Sequence, residues 1–563
     1  AQAHEMPKCA PCQSSNEYSD TTMIKVTAIP YQANCEALFN LLRDLPFACW
    51  LDSGKPGSEY GRYDIISALP ATRLVTADNQ TTVFDCQSPS YDYLARGRYN
   101  ENPLSLIQAE LKKLTKTRNA ANNNTAIDDI AIEDTALEDT ALKNTIAKKA
   151  MPERSFAVDA VESTDDNNGH HDIPFSGGAI GYFAYDLHKH LKNSASSNDN
   201  QDVSPDNANI HQKSNAESLD PEVGILNSNF DDMQVGIYHW AIIQDHQRQQ
   251  AYITSLPECN PLTLEIIKGK LSGLANHAVT SANSATIEVE PLAATLSKEQ
   301  YSASLSAINE YILAGDTYQV NFAQRFQAKY KGDPYVAYQQ LREAMASPFS
   351  AYLQLGDQVI MSLSPERFLQ VIDHQVLAQP IKGTLRRDKN PEIDKHRGVA
   401  LQNDEKNRAE NLMIVDLLRN DIGQHCNPGS ISVKTLFGLQ SFPNVHHLVS
   451  DIIGTLKTES SSIDLFRDCF PGGSITGAPK KRAMEIIEEL ESGSRGVYCG
   501  SIGYINNNGD MDTNIAIRTV SCDGELLTCW GGGGIVADSN ADDEYQESLD
   551  KINRILDILS PKA

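Results

Sequence analysis

The sequence predicts an α+β fold, and three observations carry that expectation. Five short runs, residues 23–28, 63–69, 179–185, 235–243 and 251–255, are apolar or alternating and bounded by Gly, Pro or Asp, as strands are. Helical periodicity is carried instead by residues 409–421, by 479–490, and by a last segment from about 542 onward. After about residue 296 strand and helix patterns mix, and the density of chemically suggestive motifs rises.

Composition narrows the class. With 40% hydrophobic and 22% charged residues over 563 positions, the chain can bury a large core. Its 48 Lys and Arg stand against 74 Asp and Glu, a formal charge of −26, which argues against nucleic-acid or anionic-membrane partners. A site for an anionic ligand must therefore gather its basic groups locally. No stretch reaches the length of an apolar membrane span, and residues 1–20 lack a signal-peptide core, so a cytoplasmic address is expected. The 11 cysteines are odd in number and scattered, which suits free thiols. One tight pair, Cys9 and Cys12, has no second pair to complete a zinc site and is expected to be inert.

By texture the chain divides into a flexible leader at 1–20, an N-terminal domain at 21–280 and a catalytic domain at 290–563. Two polar insertions, 119–172 and 192–222, interrupt the N-terminal domain. The first holds a five-residue near-repeat at 132–146, a period matching neither helix nor strand. The second has too few large apolar residues to offset the entropy of ordering and is expected to be disordered.

Chemistry concentrates in the C-terminal part. In Q-P-I-K-G-T, residues 379–384, Lys382 follows a strand-like run and sits between an apolar pair and a glycine. A lysine nucleophile must be neutral, which burial favours; on its own the motif reads more readily as a solvated lysine at a strand end. In S-L-S-P-E-R-F, residues 362–368, Glu366 is held by the preceding proline beside apolar neighbours, as a general acid would be; the competing reading pairs it with Arg367 at the surface. Glu410 precedes Met413 and Ile414 by three and four positions and so falls on the buried face of its helix, where a carboxylate needs a cation or a proton.

On the last helix Glu544 and Glu547 share a face one turn apart. They can supply oxygen ligands that join Glu410 around a hard divalent cation, although Glu547 could equally form a surface pair with Lys551. The Gly-rich approach to the helix after Pro479, in F-P-G-G-S-I-T-G-A-P-K-K, aims backbone N–H groups at a prospective anion. Two further pieces supply donors. Residues 514–519 read as an alternating strand carrying Arg518, and Gly531 to Gly534 let a ligand approach the backbone.

Taken in order over some 265 residues, these motifs resemble the chorismate-utilising enzymes, the group containing anthranilate, aminodeoxychorismate, isochorismate and salicylate synthases. The likeness extends to P-F-A-C-W-L-D-S-G, R-Y-D-I and F-S-G-G-A-I-G-Y-F-A-Y-D-L in the N-terminal half, which are similar to component I chains of the aminodeoxychorismate synthase branch. That resemblance implies a large sandwich of two mainly antiparallel sheets with peripheral helices, like anthranilate synthase component I. Lys382 fills the place where the aminodeoxychorismate branch carries lysine and the anthranilate branch alanine. Gln319, in Y-Q-V-N-F-A-Q, stands where the isochorismate-forming members carry a lysine base, and a glutamine cannot activate water.

The resemblance also assigns roles. It places magnesium ligands at Glu410 and Glu547 with Glu544 beside them, and the active-site histidine at His447. Substrate contacts fall on Arg518, Tyr498, Ser474, Lys480, Thr384, Gln319 and the backbone of Gly532, Gly533 and Gly534. The implied reaction is the amination of chorismate at carbon 4 to 4-amino-4-deoxychorismate, the route to 4-aminobenzoate and folate, through a covalent bond to Lys382. No glutaminase-type Cys/His/Glu set is recognisable in the sequence, so ammonia is expected from a separate glutamine amidotransferase subunit. With no lyase segment after the last helix, aminodeoxychorismate and not aminobenzoate is the expected product. The alternatives are anthranilate synthase component I, which would also eliminate pyruvate, and a silent aromatic amino-acid sensor. The latter would use the L-D-S-G segment, which resembles the family's tryptophan-binding part.

Overall fold

The computed structural model describes residues 24–54, 61–86, 93–122, 173–191, 230–273, 286–442 and 445–560. The leader, most of the first polar insertion and all of the second lie outside them, as do Cys9 and Cys12. Residues 119–122, the start of the first insertion, complete the helix Pro103–Asn122.

Two large antiparallel sheets form the body of the fold. The first runs, neighbour to neighbour, Lys25–Ile29, Gln250–Ser255, Trp240–Asp245, Tyr63–Ser67, Cys49–Asp52, Phe349–Leu355, Gln358–Ser364, Thr519–Asp523, Leu526–Ile535, Gln319–Gly332 and Ile287–Val289. The second runs Ile381–Arg386, Val445–Thr455, Gln375–Gln379, Arg367–Ile372, Met511–Asn514, Ser501–Asn506, Gly178–Phe183, Met233–Tyr238, Thr72–Ala77, Gln80–Asp85 and Leu94–Tyr99. Both sheets take strands from either side of residue 290, so the two segments share their cores.

Side-chain alternation decides which faces meet. Ile65, Ala351 and Ile360 of the first sheet pack with Ile180, Ile502 and Tyr504 of the second, making a core between the sheets. The far face of the first sheet carries Phe326, Val520 and Leu527 under Leu38 and Phe39 of Glu36–Leu42, Leu341 of Pro334–Met345, and Ile552 and Ile555 of Ala541–Leu559. The far face of the second sheet packs Ile452 and Leu369 against Ile414, Leu418 and Ile422 of Glu405–Gly423 and against Ile107 of Pro103–Asn122. Helix starts follow local chemistry: Asp404 accepts from the Asn407 amide and Asn540 from the amides of Asp542 and Asp543. Among the described residues no helix is long and apolar enough to cross a membrane.

Two expected strands differ from the structure for the same reason. The run 235–243 is two strands, Met233–Tyr238 in the second sheet and Trp240–Asp245 in the first, with the chain passing between sheets at His239. The expected strand 514–519 is likewise a passage: Met511–Asn514 belongs to the second sheet and Thr519–Asp523 to the first. An apolar run buried throughout looks continuous in sequence, because alternation cannot register a change of sheet.

The last helix lies so close to the glycine-rich strand that a Cβ on Gly531 would meet the Ser548 carbonyl oxygen at 2.3 Å. Gly531→Ala is expected to lower stability by ~1–3 kcal/mol, the usual cost of overpacking. Gly269, inside Pro261–Leu271 with nothing within 4 Å of its would-be Cβ, makes the opposite case. Gly269→Ala should raise stability by up to ~1 kcal/mol. Thermal unfolding of both variants beside the parent checks the pair.

Candidate active site

The site begins where the chain changes sheets. Gln358–Ser364 ends in the first sheet and Arg367–Ile372 starts in the second, so Pro365 and Glu366 form the passage. The returning passage, Asn514 to Thr519, lies against it: the Ile515 amide donates to the Glu366 carbonyl at 3.0 Å, and the Leu363 amide to the Arg518 carbonyl at 3.1 Å. Arg518 sits at φ 50°, a left-handed geometry that a non-glycine residue adopts only when its surroundings demand it. Its guanidinium has no hydrogen-bond partner among the described residues, and burial pulls its pKa down against the attraction of Glu366.

Glu366 is not the surface partner of Arg367. It is 5% exposed, while Arg367 forms a fork with Asp512 at 2.9 and 3.0 Å. Burial raises the Glu366 pKa, opposed by a hydrogen bond from Ser474 Oγ at 2.8 Å and by the charge of Lys382. Lys382 lies on Ile381–Arg386, where the pairing with Val445–Thr455 shifts register between Ile381 and Thr384. Such a bulge turns a side chain out of the regular alternation. Gly383 makes it possible, at φ 89° with a would-be Cβ only 2.9 Å from Asn407 Oδ1. The Lys382 amine donates to the Ser474 carbonyl at 3.2 Å. Desolvation, first, and Lys551 lower its pKa, against Glu410, Glu366 and Glu547. Ser474 thus touches the acid with its hydroxyl and the amine with its carbonyl.

Beside them His447 pairs in register with Thr384, whose hydroxyl meets Nδ1 at 2.8 Å. Burial above all, aided by Arg518 and His446, lowers the His447 pKa to about 3, so the ring is neutral near pH 7. Its buried Nε2 has no hydrogen-bond partner among the described residues.

The three expected metal carboxylates approach the same region. Glu410 is half-buried, has no hydrogen-bond or ion-pair partner among the described residues, and has a pKa raised by burial. Glu544 is buried, accepts from Ser539 Oγ at 2.6 Å, and is also raised by burial. Glu547 pairs with Lys551 at 2.8 Å, and that charge lowers its pKa. The three do not close on one point, since among the described residues the single close-set trio of His, Cys, Asp or Glu lies elsewhere. A Cβ on Gly533 would come within 3.5 Å of Glu544, Glu547 and Lys551, and Gly534 lies against Gln319. Gln319 is fully buried, and among the described residues neither polar atom of its amide has a partner.

Lys480, expected to face substrate, instead donates to Asp421 at 2.5 Å and to the Cys469 carbonyl at 2.9 Å. Its position just after Pro479 points the amine back under its own loop, toward a partly buried carboxylate that needs it. Tyr498 is buried, its ring stacked on Trp530 at 5.6 Å. In the L-D-S-G segment, Asp52 is held by Arg342 at 2.5 Å and Tyr338 at 2.7 Å.

Two residues outside the expected set hold the site together. Arg495 donates to Glu491, to the Ile475 carbonyl and to the Asn321 carbonyl, tying the Ser474 loop to Gln319–Gly332. Lys551 bridges Glu547 and the Gly532 carbonyl. The i,i+4 spacing of Glu491 and Arg495 was the available signal, but E-S-G-S-R reads as a solvated turn.

Comparison with known proteins follows this geometry. Residues 217–557 match the family model described as chorismate binding enzyme. The chain is 38% identical over 531 residues to aminodeoxychorismate synthase component 1 of Escherichia coli, covering 94% of this chain and 97% of that one. It is 34% identical over 389 residues to anthranilate synthase component 1 of Aquifex aeolicus, 68% of this chain and 74% of that one. Among solved structures, anthranilate synthase component I of Streptococcus pneumoniae superposes with TM-score 0.62 at 24% identity, over 89% of this chain and 93% of that one. The menaquinone-specific isochorismate synthase of Escherichia coli does so with TM-score 0.60 at 13% identity, over 95% of each.

The buried carboxyl allows a signed test. Because the folded state raises the Glu366 pKa, ionising it costs stability, and that cost grows as pH rises from the ordinary carboxyl range through the raised value. Glu366→Gln should therefore unfold at a higher temperature than the parent near pH 8, with the gain vanishing in acid, where both states are protonated.

Proposed function

Because the chain belongs to the family of chorismate binding enzymes, we propose that it aminates chorismate at carbon 4 to give 4-amino-4-deoxychorismate. The observation that carries this reading is the Lys382–Ser474–Glu366 set. An amine held toward its neutral form and a carboxyl held toward its protonated form share one serine between them. Environments that push an amine and an acid toward these states suit a nucleophile and a general acid.

The hydroxyl at carbon 4 leaves poorly unless protonated. Glu366 gives its proton to that oxygen while Lys382 attacks carbon 2; both ring double bonds shift and water departs from carbon 4. Ammonia then adds at carbon 4, both double bonds shift back, and Lys382 is released from carbon 2, so chorismate and ammonia become aminodeoxychorismate and water. Arg518 suits a substrate carboxylate in a forked contact, and neutral His447 offers its unpartnered Nε2 to a polar group of the substrate. Gln319 adds an amide with no other partner.

Residues fit for Mg2+ are present. Glu410, half-buried, raised and unpaired, offers oxygen to a hard cation, with Glu547 and Glu544 completing the set once Glu547 turns from Lys551. Bound there, the ion would supply positive charge against the ring carboxylate and the charge that develops as the hydroxyl departs. Ammonia would come from a separate glutamine amidotransferase, consistent with the component 1 designation of the relatives. The setting would be cytoplasmic.

The likeness to anthranilate synthase component 1 of Aquifex aeolicus supports a second reading, in which pyruvate is lost as well. Incubating the protein with chorismate, Mg2+ and an ammonium salt above pH 8, with and without an aminodeoxychorismate lyase, separates the two. Aminobenzoate that appears only with the lyase fits the amination, whereas 2-aminobenzoate and pyruvate without it overturn that reading. Lys382→Ala and Glu366→Gln should each lower turnover by about 100-fold or more while remaining folded. In Glu410→Gln the Mg2+ concentration for half-maximal rate should rise ~tenfold or more.

A further inference from the structure

Far along the first sheet, three side chains from separate elements converge with no role in the reaction. Cys35 precedes Glu36–Leu42, Asp64 lies on Tyr63–Ser67, and His246 follows Trp240–Asp245, whose pairing with the Asp64 strand brings the two together. All three are buried, and their donor atoms lie within 4.8 Å of one another. We propose that Cys35, Asp64 and His246 form a zinc site that staples the N-terminal strands of the first sheet.

Cys35, Asp64 and His246 already interact through charge, and one buried nitrogen among them is left for a ligand. His246 Nε2 lies 3.3 Å from Asp64 Oδ1, within ion-pair range, but has no hydrogen-bond partner among the described residues, and its side chain is only 3% exposed. Tetrahedral zinc with bonds of ~2.0–2.1 Å separates neighbouring nitrogen and oxygen ligands by ~3.3–3.4 Å, which matches that edge. Its Nδ1 meets the Tyr31 hydroxyl at 2.9 Å, the outer contact that leaves Nε2 free as a ligand. Asp64 is fixed by its neighbours, Oδ1 accepting from the Ser53 amide at 2.8 Å and the Ser53 hydroxyl at 2.6 Å and Oδ2 from Trp50 Nε1 at 3.3 Å. The Cys35 thiol donates to the Gln32 carbonyl at 3.9 Å, and a water can provide the fourth ligand. Thiolate and carboxylate together neutralise a divalent ion, and thiolate with imidazole selects zinc over magnesium. Binding would release the Cys35 proton, which burial and the Asp64 charge otherwise hold.

The test uses the full chain carrying Cys9→Ser and Cys12→Ser, so that the C-x-x-C pair cannot bind metal by itself. After incubation with zinc and removal of free ion, metal analysis should find stoichiometric zinc, and Co2+ in its place should give a thiolate-to-cobalt absorption band. Zinc content should fall by ~tenfold or more in Cys35→Ser and in His246→Gln, with the thermal midpoint no longer raised by zinc. Absence of both retained zinc and the cobalt band in the chain with Cys35 and His246 intact overturns the site whether or not the variants fold. So does zinc content unchanged in both variants. Neither readout involves amination.

Discussion

The candidate site depends on one constraint, the antiparallel contact between two passages from sheet to sheet. Residues 365–366 go one way and 515–518 the other, locked by Ile515 to Glu366 and by the Ser364 hydroxyl to the Ile515 carbonyl at 2.6 Å. Within a sheet, side chains alternate toward two packed layers. At a passage, the chain must leave both ladders, so its side chains can point along the seam. Glu366 and Arg518 occupy those positions, their carbonyls accepting from the Ile515 and Leu363 amides across the two passages.

Electrostatics at this seam follow from scarcity of water more than from charge pairing. Lys382, Glu366, Glu410 and His447 are each shifted chiefly by desolvation, and in each case toward the neutral form. Opposite charges nearby limit the shifts of Lys382, Glu366 and Glu410, whereas Arg518 and His446 deepen that of His447. Ser474 fixes the distance between amine and acid, and the buried Arg495–Glu491 pair fixes Ser474's loop to the strand that carries Gln319. A serine contact of this kind would be loose on a surface turn; here the loop is tied on both sides.

Much of the site was legible because its motifs are local. Q-P-I-K-G-T contains its own bulge device in Gly383, and A-E-N-L-M-I-V-D-L-L-R-N-D places Glu410 on the inner side of its helix by spacing alone. Glycines 531–534 were readable as a place of close backbone approach, since no other residue type tolerates it. Less legible were features that depend on partners remote in sequence. Lys480 looked like a free cation until Asp421, 59 positions away, took its amine. Arg518 looked like a strand residue because nothing in N-I-A-I-R-T marks the change of sheet.

By itself, then, the sequence determined the α+β class, the membership of the family, and several of the side chains that the structure brings near one another. Short-range pattern and residue type encode those things directly. Only the tertiary structure decided which strands share a sheet, where the chain crosses between sheets, and which charges are neutralised by distant partners. Those outcomes rest on contacts hundreds of positions apart, such as the 308 residues between Asp186 and Ser494 or the 290 between Asp52 and Arg342. No local periodicity records such a separation, since burial and pairing arise only when the whole chain closes on itself.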